Sequence, residues 1–532
     1  MPEILKNKTY LYLTEFFAGM SVMAVELAAS RLMAPYFSSS QIVYTIIIGT
    51  VMIAMALGNV YGGRTADKNP DPAILYRRML IAGAWIAAIP FAGRYLILLI
   101  SAALVLTVNS NFLVIAAFAS CMAVFVFPLF LLGTVTPSLV RYIMEKTEES
   151  GEIVGKLGAF NTVGSIIGTF LPTFVTIPSV GTAATFIIFS GVLMVLALLY
   201  FISIKRITKV CVITLIIFII CSLLGSSVSF AFWEKGLSYE GESVYNYLQV
   251  REDDERIVLS TNVLFGVQSV KMKTDGLTGM YYDYALAAPV MAEQGADKPL
   301  RILILGNGTG TFATQCARYF PGCYIEAVEI DGRISDLAYK YFDMSDDVVL
   351  FEYDGRAYLQ TSDETYDVIM VDAYQDITIP FQMSSKEFFT LVYDHLTDNG
   401  VAVVNMNMYS DGEGAINEYL TDTILSCFDT AYSADVPYNS NREVFMAKNG
   451  DAKDLLAPRL VMSDMLVPQM YKVYKALEKC ESSGLDHVLT DDRAPVEVLG
   501  MSMIDSLISE ELSYYQGLYK EGGIDALLNA LL

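Results

Sequence analysis

The chain has 532 residues, a net charge of −23 and 54% hydrophobic residues. It is too long for one ordinary domain. Its charge divides sharply: residues 1–230 carry 14 Lys/Arg and 9 Asp/Glu, a net of +5, while residues 231–532 carry 21 and 49, a net of −28. No basic stripe exists to neutralise phosphates, so nucleic acid is not an expected partner.

The first part reads as a membrane domain, 1–230. Apolar segments at 9–34, 42–63, 75–92, 112–140, 153–177, 181–204 and 209–228 each approach the ~20 residues that a span needs. They predict seven spans through a lipid bilayer, and an eighth if the shorter run 95–107 also crosses. The N-terminal run holds Glu15 and Glu26 and is too long for the apolar core of a signal peptide, so it is read as a span. Those two carboxylates stand three helical turns apart on one face. They mark either a pathway for a cation, or a Glu26–Arg31 pair with Glu15 near the interface. Gly58/Gly62 and Gly164/Gly168 have the small-xxx-small spacing of closely packed membrane helices. Trp233 is placed to anchor the interface.

The acidic part opens with three β-like runs, 245–251, 256–261 and 267–273, giving a small β subdomain over 231–290. Strands at 301–305, 323–328, 348–352, 367–371 and 400–406 then alternate with helical stretches, which predicts a doubly wound, Rossmann-like parallel sheet over 291–465. A C-terminal helical extension is expected over 466–532. The acidic surface suits a small cationic substrate or is simply a solvated face. The seven cysteines are scattered without a CxxC pair and the only histidines are His395 and His487, so neither a disulfide framework nor a metal site is expected.

The chemistry gathers at the carboxyl ends of the strands. "RILILGNGTGTFATQCARYF" (301–320) is a strand, a turn with Gly306, Gly308 and Gly310, and a helix, which brings a ligand against backbone N–H groups at a helix N-terminus. No Lys-Ser/Thr pair follows, which argues against a nucleoside-triphosphate loop. Glu329 ends the second strand, where a carboxylate can accept bonds from both ribose hydroxyls. Asp354 and Gly355 end the third, positioned for an adenine amino group, and Asp372 ends the fourth. Four polar strand ends around one crevice fit an adenosyl sulfonium better than a dinucleotide.

Two family resemblances follow from the motifs. "GNVYGGRTADK" (58–68) and "VGKLGAFNTVGSIIGTFLP" (154–172) resemble segments of major facilitator transporters. With "ELAASRLMAPYF" (26–37), they resemble more closely the membrane part of bacterial membrane-fused spermidine synthases. "ESVYNYLQV" (242–250), "TNVLFGVQS" (261–269), "MYYDYALAAP" (280–289), "VEIDGRISDLAYKYF" (328–342), "DGRAYL" (354–359), "VDAYQD" (371–376), "SSKEFFTLVYDHLTDNGVAVVNM" (384–406) and "LTDDRAPVEVL" (489–499) resemble polyamine aminopropyltransferases. The resemblance implies decarboxylated S-adenosylmethionine, or S-adenosylmethionine itself, as co-substrate, no tightly bound cofactor, and a diamine such as putrescine as acceptor. Gly306, Gly308, Gly310, Gln268, Glu329, Asp354 and Gly355 would hold the donor, Asp372 and Asp376 would be catalytic, and Tyr282, Asp283 and Tyr374 would meet the amine. The two tyrosines also read as ordinary core residues. A homodimer is compatible with this picture. The chain departs from the family at Thr309 and Gln375, where acids are expected. Two other readings therefore stand beside it: an S-adenosylmethionine-dependent enzyme with another acceptor, and a non-catalytic polyamine or nucleoside sensor or transporter.

The cell membrane is the expected location, and two arguments about the face oppose each other. Lys/Arg cluster at 6–8, 64–78, 141–156 and 205–209, all cytoplasmic if 95–107 does not span. A seventh span then leaves the acidic domain outside, the favoured arrangement, whereas supply of an adenosyl sulfonium favours the cytosol.

Overall fold

The computed structural model describes residues 4, 7–105, 107–108, 110–144, 150–225, 229–234, 236–263, 267–293, 298–373, 379–407, 414–437, 440–461, 465–484, 486–500, 513, 516–517, 520 and 523. It divides into two compact units, Met1–Lys235 with Ile508–Leu532, and Gly236–Leu507.

The first unit is helical. Lys8–Phe37, Gln41–Lys68, Pro72–Val105, Phe112–Ile143 and Gly151–Ser203 are long and apolar enough to cross a bilayer, and Lys209–Gly225 is a shorter apolar helix. The run expected near 95–107 is not separate. It continues the helix from Pro72 through one π turn, Ile89–Gly93. The 53-residue stretch Gly151–Ser203 breaks at Gly181, whose φ of 83° is left-handed and open to glycine without strain. Close packing rests on the two glycine pairs. A Cβ on Gly164 or Gly168 would overlap the Phe16 or Met20 carbonyl, and one on Gly58 the Phe130 carbonyl. Glu15 is fully buried at such a junction, its Oε1 accepting from Thr136 Oγ1 at 2.6 Å and Asn161 Nδ2 at 2.8 Å.

In the second unit, β1 (Tyr239–Glu242), β2 (Tyr247–Glu252), β3 (Arg256–Ser260) and β4 (Ser269–Met272) form a small antiparallel sheet in that order. Its inward Leu248, Val250, Ile257 and Leu259 pack on Ile334, Leu337 and Phe342, in and beside the helix Gly332–Tyr341. The main sheet contains β5 (Arg301–Leu305), β6 (Tyr324–Glu329), β7 (Val348–Glu352), β8 (Tyr366–Val371), β9 (Leu396–Asn407), β10 (Tyr432–Asp435), β11 (Asn441–Ala447) and β12 (Glu478–Lys479). Their order is β12-β10-β11-β9-β8-β5-β6-β7.

From β7 to β9 the sheet is parallel, with β5 at the centre. β11, β10 and β12 then add an antiparallel edge. The five strands expected from the sequence, β5 to β9, are all parallel; beyond them the helix Ile416–Leu425 leads from β9 to β10, whose hairpin with β11 returns β11 antiparallel beside β9. The stretch from 466, expected as helical, contains the helix Val467–Ala476 and also β12, which joins the sheet edge. Apolar residues cover both faces. Ile302, Ile304, Val368, Met370, Val401, Val403 and Phe445 face the helix Tyr281–Ala285, while Leu303, Leu305, Ile369, Val371, Ala402 and Val404 face Phe388, Leu420 and Ile424.

Candidate functional site

A cavity of about 410 Å³, in the range of small-molecule sites, opens at the carboxyl ends of β5, β6 and β8. The glycine turn forms its floor. Gly306 (φ 87°), Gly308 (φ 54°) and Gly310 (φ 79°) all hold left-handed conformations, and a Cβ on Gly306 would overlap the Asp372 carbonyl oxygen. Gly306 and Gly308 line the cavity, whereas Gly310 caps the helix Thr311–Tyr319 behind it. Thr309 is also turned inward, its backbone N–H donating to Ser269 Oγ at 3.3 Å. Asn307 lines the cavity with a buried Oδ1 that lacks a partner, an acceptor available to a ligand hydroxyl or amine.

Glu329 ends β6 in the cavity wall. Its Oε2 accepts from Gly308 N–H at 2.8 Å and its Oε1 from Asp331 N–H at 3.0 Å, so the backbone fixes the carboxyl before any ligand arrives. Burial pushes its pKa up to about 7, against the pull of those two bonds. Asp331 in turn accepts from Ser243 Oγ and Asn246 Nδ2, joining the small sheet to this corner. Asp354 and Gly355 line the opposite side. Asp354 Oδ1 caps the following helix through Ala357 N–H at 2.8 Å. That helix is clasped from the tail of the unit: Arg356 pairs bidentately with Asp491, both contacts at 2.6 Å.

Asp372, just past β8, is the most constrained acid. Tyr281 Oη donates to its Oδ2 at 2.6 Å and Asn405 Nδ2 to its Oδ1 at 2.7 Å, and Asn441 Nδ2 steadies Asn405 Oδ1 at 2.8 Å. Burial raises the Asp372 pKa to about 7 despite both donors. The adjacent Tyr281 and Tyr282 rings lie with centroids 4.0 Å apart, both in the cavity wall.

The structure brings Gly306, Gly308, Gln268, Glu329, Asp354, Gly355, Tyr282 and Asp372 to one cavity. Asp283 is elsewhere. Its carboxylate is occupied by Thr278 N–H, Thr278 Oγ1, Gly279 N–H and Gln315 Nε2, so it braces the loop before the tyrosines. Tyr374, Gln375 and Asp376 lie outside the described residues. Sequence reasoning passed over Tyr281, Asn405, Asn307 and Asn441. Asn405 sits at the end of a strand like the acids, and that position was the available signal. Among the described residues no group of three His, Cys, Asp or Glu could hold a metal ion.

Fold and cavity together define a Rossmann-like protein with a nucleoside-sized cavity at the carboxyl edge of its sheet. Residues 281–446 match the family described as Spermine/spermidine synthase domain. A relative in Bifidobacterium longum, called "Probable polyamine aminopropyl transferase", is 50% identical over 351 residues, 63% of this chain and 78% of the relative. A polyamine aminopropyltransferase of Vibrio vulnificus is 26% identical over 242 residues, 44% of this chain and 78% of the relative. A solved "probable spermidine synthase" from Corynebacterium glutamicum aligns with 20% identity and a TM-score of 0.37, over 47% of this chain and 91% of its own. The chain belongs to the polyamine aminopropyltransferase family.

Proposed function

We propose that the protein is a membrane-anchored aminopropyltransferase that moves an aminopropyl group from decarboxylated S-adenosylmethionine to a diamine such as putrescine. One observation carries the reading most directly: Asp372 is held in the cavity wall between Tyr281 and Asn405, with its pKa raised to about 7. A neutral amine nitrogen attacks the methylene beside the sulfonium. The C–N bond forms as the C–S bond breaks, and its electron pair leaves on sulfur as neutral methylthioadenosine. The new ammonium then loses a proton to Asp372, a base with an affinity matched to neutral pH.

Glu329 and Asn307 fit the ribose hydroxyls, Asp354 the adenine edge, and Tyr282 a cationic carbon or nitrogen. Asp376 is the second acid that the family resemblance assigns. The experiment is direct. The full chain in detergent, given decarboxylated S-adenosylmethionine and putrescine, should release methylthioadenosine and spermidine in equal amounts. Failure with every diamine tested would overturn the reading.

Thr309 favours a second reading. It places no carboxylate in the glycine turn for an aminopropyl ammonium. S-adenosylmethionine would then be the donor and another nucleophile the acceptor, seen as S-adenosylhomocysteine formation in the same assay.

The long apolar helices support anchoring in the cell membrane, with homodimerisation left to a mass measurement in detergent. Continuity of Pro72–Val105 supports counting the 95–107 run with the third span, the arrangement that puts the soluble unit outside.

A further inference from the structure

Glu443 on β11 has no part in the chemistry above, and its surroundings are unusual for a carboxyl. Its side chain is fully buried, and neither Oε1 nor Oε2 has a hydrogen-bond partner. In the β9–β11 register it stands opposite Asn405. Asp372, one residue past the Val371–Val404 pair of β8 and β9, flanks Asn405 on the other side. Met370, Val403 and Phe445, two residues from each, belong to one core cluster. Asp372, Asn405 and Glu443 therefore form a row across three strands on one face of the sheet, spanning roughly 10 Å at a strand spacing of ~4.8 Å.

The charges facing this row are few. The helix Tyr281–Ala285 covers it and contributes Tyr281 and Tyr282, both neutral phenols held well above their ordinary range by burial, and Asp283, whose carboxylate is occupied by Thr278, Gly279 and Gln315. The helix Ala452–Leu456 on the same core brings Asp454 and Lys453, whose Nζ donates to the Leu477 carbonyl. On the opposite face Arg442 pairs with Asp435 of β10. The group acting electrostatically on Glu443 is Asp372, a like charge, and burial pushes the Glu443 pKa well above normal. An ionised carboxylate so placed would be expensive, and a Leu or Met would complete the apolar face at lower cost. Two acids in one row, Asp372 lining the cavity and Glu443 behind it, without a facing cation among the described residues, are half of an ion pair. The missing half is a cation that arrives from outside.

We propose that Glu443 is a proton-linked counter-charge for the amine acceptor: it is neutral while the site is empty and gives up its proton as the cationic end of the amine enters beside Asp372. This rests on the aminopropyltransferase reading and deepens it. The site would select polycationic amines over neutral nucleophiles and would release a proton on binding. Glu443 acts through the field along the row and is a positioning residue.

Titration calorimetry of the full chain, preloaded with methylthioadenosine, tests this with putrescine in two buffers of different ionisation heat at neutral pH. Wild type should release a measurable fraction of a proton per amine bound. Glu443→Gln should lower that release to what Asp372 and the amine themselves give up and bind putrescine roughly tenfold more weakly, with methylthioadenosine affinity unchanged. Should Glu443→Gln fold poorly, Glu443→Leu serves, since it also removes the proton but fills the apolar face. Equal proton release in wild type and variants, with transfer intact, overturns the inference alone. A wild type that binds methylthioadenosine but no amine, and transfers nothing, overturns the parent reading and this inference with it.

Discussion

At the scale of single residues, the site is built from carboxyls whose hydrogen bonds were arranged before any ligand. Glu329 offers the clearest affinity test, because both of its oxygens are already aimed by backbone N–H groups. Glu329→Ala should weaken methylthioadenosine binding by about 1.5–3 kcal/mol, the scale of a charge-assisted bond. Calorimetry returning the wild-type affinity would move the ribose elsewhere. Asp372 makes a different prediction. Its pKa near 7 in the folded unit lies above the ordinary 3.8, so the folded state binds the extra proton. Its stabilising contribution is therefore complete below about pH 4 and is lost as pH climbs through about 7. Relative to wild type, Asp372→Asn should gain stability over that window, on the order of 1–4 kcal/mol. The same variant should lose transfer by about 10²–10⁴. Chemical denaturation at a series of pH values reads the first effect, and a difference that stays flat with pH would show that burial does not tune this acid.

At the scale of elements, the glycine turn and the strands around it act as one frame. Gly306→Ala sets a methyl group against the Asp372 carbonyl at a left-handed φ, so both the turn and the acid must shift. Gly310→Ala shares the strained φ but meets only the flexible Met344 side chain. We expect both to lower the melting temperature, with methylthioadenosine binding lost in Gly306→Ala and largely kept in Gly310→Ala. Equal losses of binding would make the turn a generic loop. The strands that frame this turn were readable because β5, β6 and β8 are buried on both faces and appear as apolar runs interrupted only by Glu326 in β6 and Asp367 at the start of β8. The acids after β6, β7 and β8 then picked out Glu329, Asp354 and Asp372. β10 and β12 were invisible: four and two residues long, and largely polar, they become strands only by pairing with β11 and each other. Glu443 was hidden for the same reason, since its position depends on an antiparallel return that no local pattern announces. Asp283 misled because a carboxylate beside two tyrosines looks catalytic until its four donors are seen.

At the scale of the whole molecule, the two units differ in charge as much as in fold. The acidic unit would repel anions and draw in the cationic amine of the proposed reaction, an attraction that salt should weaken. If the seventh apolar helix carries the chain outward, protease added to intact cells should release a fragment beginning near Trp233. Full protection until the membrane is opened would put the unit in the cytosol beside its proposed donor. The buried Glu15 has a further consequence, in time rather than in space. Its two donors, Thr136 and Asn161, lie 121 and 146 residues further along the chain. At a synthesis rate of about 5–20 residues per second, the first helix waits roughly 7–30 s before Asn161 has even been made. Until Thr136 emerges its acid has neither partner, and the glycine notches of Gly164 and Gly168 do not yet exist. The nascent helix must keep that carboxyl protonated, hydrated at the bilayer edge or sheltered by the insertion machinery. Asn161→Leu leaves that acid with Thr136 alone, so less full-length protein than wild type should accumulate in the membrane fraction, read by immunoblot.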